Sequence, residues 1–114
     1  MDLINILFAL ASIGLGAFGW IAPRYTMQTL DMTGGDTTMA MSEVRASAGA
    51  LFVGLGIGAL LLGGPTAYLM LGFCWTGAAA GRLTSLALDG VTRKKLTFFG
   101  VEAAVGIPAI LLNL

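Results

Sequence analysis

Five ionisable residues stand inside or at the edges of otherwise apolar stretches: Glu43, Arg45, Arg82, Asp89 and Glu102. In hydrocarbon an ionised side chain needs a partner or a route to the surface, so such residues are candidates for ion pairing or ligand capture. Arg82 and Glu102 are the natural pair, each roughly 9 Å of helix inside the same end of its apolar segment. Asp89 lies seven positions beyond Arg82 and Ser85 three beyond, which places all three on one helical face. Glu43 and Arg45 are separated by about 200° of helix rotation and must make different contacts. The five charges nearly cancel, and if the helices form a compact bundle they converge at one membrane level. The first reading is an ion-pair network that sets helix register, because buried ionic groups can specify packing without catalysing anything. A ligand or ion site comes second and catalysis third.

Other chemistry lacks the residues it needs. The chain has no histidine, which removes the commonest metal ligand, general base and haem ligand. Without a histidine base, its serines and lone cysteine form no recognisable nucleophilic device. That cysteine, Cys74, has no partner for an internal disulfide and reads as a small buried side chain. The stretch "DMTGGD", residues 31 to 36, lacks the spacing and final glutamate of a calcium loop and reads as turn and cap chemistry. "GLGIG" sits in an apolar segment with no following lysine, so it is no phosphate loop. No metal, cofactor or catalytic residue is expected.

The elements that must position the charges are membrane helices. Only 11% of the 114 residues are charged and 57% are hydrophobic, with a mean hydropathy of +0.90. Six basic residues balance six acidic ones, which leaves no electrostatic footprint for nucleic acid. A bilayer crossing needs about 20 apolar residues, and four segments qualify: 3–22, 41–63, 66–88 and 96–113. The first lacks the charged start of a cleaved signal peptide and reads as a retained helix stopped by Pro23. Gly63, Gly64 and Pro65 make a tight hairpin between the second and third. Asp89 and Gly90 mark the next turn, Thr92 can cap the fourth helix, and Pro108 lies within it. The expected fold is therefore an all-α membrane protein, one domain over 1–114 with four transmembrane helices in an antiparallel bundle. Arg24, Arg93, Lys94 and Lys95 fall in the two longer loops, so the positive-inside rule puts those loops in the cytoplasm and both termini on the periplasmic side.

Small residues at four-residue spacing let helix backbones approach closely in lipid. Such stripes occur at Ala46, Ala50, Gly54 and Gly58 and at Gly77, Gly81 and Ser85, and the first segment adds Ala9, Ser12, Gly16 and Gly19. Internal packing is the plain reading and an oligomer interface the alternative. Trp20 fits an interfacial anchor, while Trp75 lies deeper. Met27 and Leu30, one turn apart in the first loop, allow a short helix on the membrane surface.

The Pro-terminated first segment (Ala22-Pro23), the "SEVRASAGALFVGLG" entry to the second and "GRLTSLALDG" closing the third resemble an uncharacterised family of small bacterial four-helix membrane proteins, broadly similar to DoxX-like bundles. Length and segment count also resemble small multidrug exporters, but their membrane-embedded glutamate in the first helix has no counterpart between Asp2 and Pro23. The expectation is a multi-pass protein of the bacterial inner membrane, surrounded by lipid. It acts as a non-enzymatic accessory or structural subunit of a larger membrane complex, for example respiratory or photosynthetic, or as a homo-oligomer. The alternative is a binder or carrier of a lipid or small hydrophobic molecule, its polar head held by Arg82 and Glu102.

Overall fold

The computed structural model describes residues 3–114 and is all helical. In chain order the helices are α1 (Leu3–Ile21), α2 (Pro23–Thr29), α3 (Met39–Leu62), α4 (Pro65–Leu88) and α5 (Arg93–Asn113). The punctuation follows from residue chemistry. Pro23 and Pro65 open α2 and α4, where a missing N–H is not needed. Thr92 accepts a hydrogen bond from the Lys95 N–H at 3.2 Å and caps α5. Gly35, Gly63 and Gly90 take positive φ at the turns.

Three helices, α1, α3 and α5, are long and apolar enough to cross a membrane, which fits a membrane protein. The segment expected as a span at 66–88 is present as α4, whose 24 residues reach about 36 Å. It is not among the three, because Arg82 and the polar residues Thr84 and Ser85 interrupt its apolar run, so no bilayer-length stretch of it is as apolar as those of α1, α3 and α5.

The described residues form two compact units: Ile6–Leu61, and Leu62–Leu114 together with residues 3–5. In the first unit, α1 buries Ala9, Ser12, Gly16 and Gly19, spaced alternately three and four residues apart along one helical face. Against them α3 buries Val44, Gly49, Val53, Gly56 and Ala59. Contact is backbone to backbone. A Cβ added at Gly16 would stand 2.6 Å from the Gly49 carbonyl oxygen, and one at Gly56 2.5 Å from the Ala9 oxygen. The buried Ser12 hydroxyl donates to the Phe52 carbonyl at 2.8 Å.

The packing face of α3 differs from the expected stripe. At Gly54 and Gly58 an added Cβ would meet nothing within 4 Å, and Ala46 is exposed. Two causes combine. A four-residue spacing drifts about 40° per step on a 3.6-residue helix. In addition, Ala46–Ala50 is a π-helical turn, which inserts one extra residue and carries the buried face from Val44 directly to Gly49.

In the second unit, α4 buries Tyr68, Leu71, Gly72, Trp75 and Ala79, and α5 buries Val105, Gly106, Ala109 and Asn113. The helices cross where Gly72 meets Gly106 and Ile110, and where Gly106 meets Thr76. The stripe expected at Gly77, Gly81 and Ser85 lies off this face, with open space at both glycines. Cys74 is exposed rather than buried, because its neighbour Trp75 occupies the inward position and successive helical residues turn by about 100°.

Candidate functional site

Arg82 is six residues from the end of α4, and Glu102 lies nine residues into α5. The α4–α5 hairpin brings them together. Arg82 Nε donates to Glu102 Oε1 at 3.1 Å and Nη2 to Oε2 at 2.9 Å, a two-point contact. The planar guanidinium matches the carboxylate, so the contact sets direction as well as distance. Phe98 stands one turn before Glu102 on the same face of α5. Its ring lies 5.4 Å from the Arg82 guanidinium carbon, so the cation is held between a carboxylate and an aromatic face. Both side chains are partly covered, Arg82 30% and Glu102 13% exposed.

The other three candidates make local contacts. Asp89 accepts from the Ser85 hydroxyl at 3.0 Å, one turn back along α4. Its own carbonyl and that of Gly90 accept from Lys95 Nζ at 3.3 and 2.9 Å. Lys95 thereby places a cation where α4 leaves carbonyls unbonded and its dipole is negative. Glu43 accepts from Ser47 at 3.3 Å across the start of the π-helical turn. Arg45 Nη1 donates to the Trp20 carbonyl at 2.7 Å, performing for α1 the service Lys95 performs for α4. Trp20 itself is 47% exposed. Glu43 and Arg45 belong to one unit, while Arg82, Asp89 and Glu102 belong to the other.

A second polar contact had no signature in the charge pattern. Asn5 and Asn113 exchange two hydrogen bonds of 2.8 Å with both side chains buried, and Asn113 also donates to the Ala109 carbonyl at 2.7 Å. The available signal was an amide in each of two apolar helices, since in lipid a buried amide finds a partner on a neighbouring helix. Among the described residues no group of three His, Cys, Asp or Glu is placed to hold a metal ion.

An all-helical chain with three bilayer-length apolar helices and a covered Arg–Glu pair in its α4–α5 hairpin has the makeup of a small integral membrane protein. A family model described as a domain of unknown function, DUF4345, matches residues 1–113, and the chain belongs to that family. No curated protein and no solved structure matches it.

Proposed function

We propose that this is a four-span protein of a bacterial inner membrane, with α4 as the fourth span and both termini outside. It serves as a non-enzymatic accessory or structural subunit of a larger membrane complex. The observation that carries the reading is the two-point Arg82–Glu102 contact. Each group satisfies the other, so the pair orients α4 on α5 and leaves little capacity for a transported ion or a reacting substrate.

Two further features support it. No more than 28% of the most apolar window of α1, α3 or α5 is buried inside the chain, so large apolar faces are left for lipid or protein neighbours. The unfilled glycines Gly54, Gly58, Gly77 and Gly81 are also the kind of surface another helix packs on. The four-span reading draws in addition on the likeness to DoxX-type bundles in the "SEVRASAGALFVGLG" and "GRLTSLALDG" segments. The alternative, a carrier holding a polar head at Arg82 and Glu102, has less support because those groups are already bonded to each other.

Mild-detergent extraction of the native membrane, native-gel separation and identification of co-migrating chains test the proposal. Co-migration with one large complex in fixed stoichiometry is the expected result. Migration alone or as a homo-oligomer overturns the subunit assignment.

A further inference from the structure

Arg24 and Arg45 line one cavity of about 290 Å³, whose remaining walls are Ile21, Ala22, Pro23, Tyr25 and Met41. All of these residues belong to the Ile6–Leu61 unit. Two cations face one space and no acidic residue lines it. Arg45 is steadied by its bond to the Trp20 carbonyl, which engages one of five guanidinium N–H donors. Among the described residues no hydrogen bond or ion pair engages the Arg24 guanidinium, and both arginines are exposed. A second hollow, lined by Gly14, Ala17, Phe18, Ile21 and Ala22, is almost wholly apolar. It shares Ile21 and Ala22 with the first and runs back along α1, away from the arginines. The Phe18 and Tyr25 rings stand 5.9 Å apart where the two hollows meet.

We infer that these two adjoining hollows are a binding site for one anionic phospholipid, its phosphate between Arg24 and Arg45 and an acyl chain along Gly14, Ala17 and Phe18. Paired guanidinium groups are the donor set suited to a phosphate. The size of the charged cavity sits at the lower end of small-molecule pockets, roughly 300 to 1,000 Å³, enough for a headgroup but not for its chains. The apolar groove supplies the missing length and points along a bilayer-length helix, where an acyl chain would lie. Free phosphate would satisfy the arginines and leave the groove empty. An apolar groove adjoining the charged cavity, with Ile21 and Ala22 lining both, therefore favours the lipid. In the orientation proposed above, with both termini outside, these arginines lie at the cytoplasmic end of their helices, where anionic headgroups concentrate. This site is independent of the Arg82–Glu102 pair and of any partner complex.

The test is native mass spectrometry of the full chain, delipidated in detergent and then offered phosphatidylglycerol or phosphatidylcholine at equal concentration. At least tenfold preferential retention of one phosphatidylglycerol is expected. That preference should be lost in Arg24→Gln and in Arg24→Gln/Arg45→Gln, and retained in Arg24→Lys at reduced strength. Gly14→Leu, at a position where an added Cβ meets nothing within 4 Å, should fill the groove and lower retention severalfold with the arginines intact. Inorganic phosphate at tenfold excess should displace the lipid poorly. Equal retention of the two lipids overturns the inference, as does retention unchanged in Arg24→Gln. Phosphate displacing the lipid fully, with Gly14→Leu indistinguishable from the parent, reassigns the cavity to free anions and overturns the lipid site. Arg24→Gln alone keeps the test decisive if the double variant does not fold, because the Arg24 side chain supports no other described residue.

Discussion

The two units hold their helices together by different means. In Ile6–Leu61, α1 and α3 meet through glycine, and main chain lies against main chain at Gly16, Gly19, Gly49 and Gly56. In the unit built on Leu62–Leu114, glycines at 72 and 106 allow the α4–α5 crossing. Side-chain polar bonds then pin that unit at two levels, Arg82–Glu102 and Asn5–Asn113. The difference teaches where each unit is fragile. A glycine contact fails when atoms are added, because backbone cannot move aside. A polar contact fails when atoms are removed, because the partner is left covered and unsatisfied.

The largest expected effect comes from adding atoms in the first unit. Gly49→Leu should cost about 3 kcal/mol or more, since even a Cβ there would collide with the backbone of Gly19 and Trp20. Reversible unfolding in detergent measures it, and a near-neutral result would break the comparison. Next is the ion pair. Arg82→Ala should cost about 2 kcal/mol, and combining it with Glu102→Ala should cost less than the sum of the two single changes. Additive costs would show that the two groups do not depend on each other. Smaller again, Asn113→Leu should cost about 1 kcal/mol, partly recovered by adding Asn5→Leu. The smallest effect, within about 0.5 kcal/mol, is expected for Gly54→Ala or Gly81→Ala in the isolated protein, because both positions open onto free space. A larger loss for either in the native membrane, absent after purification, would mark that face as covered by a partner.

Much of the architecture was legible in the sequence because breakers and caps act locally. Pro23, Pro65, Gly63, Gly90 and Thr92 each work within a turn or two of themselves, and the helices end where those residues predict. The Arg82–Glu102 pair was legible for a related reason: in a helical hairpin, distance from the turn translates into depth. Packing faces were legible on α1 but not on α3 or α4, where the expected four-residue stripes lie off the buried face. On α1 the small residues Ala9, Ser12, Gly16 and Gly19 are the buried ones, whereas on α3 a π-helical turn at Ala46–Ala50 moves the face off the Ala46, Ala50, Gly54 and Gly58 stripe, and on α4 the face runs through Gly72 and Ala79 instead of Gly77 and Gly81. The Asn5–Asn113 contact joins residues 108 positions apart, and no spacing rule reaches that far. The Arg24–Arg45 cavity was hidden likewise, since it depends on how α2 and the start of α3 sit on the end of α1.

The π-helical turn at Ala46–Ala50 also bears on how this segment tolerates changes in length. A helix that already accommodates one surplus residue can lose a residue there and become an ordinary α-helix, with Val44 then a regular four-residue step before the same glycine. The same deletion near Ile57 would rotate everything beyond it by about 100° and turn the packed face outward. Deleting Ala48 should therefore yield a protein that still folds, where deleting Ile57 should not. Relatives one residue shorter between Arg45 and Leu51 would be expected to keep an identical helix interface.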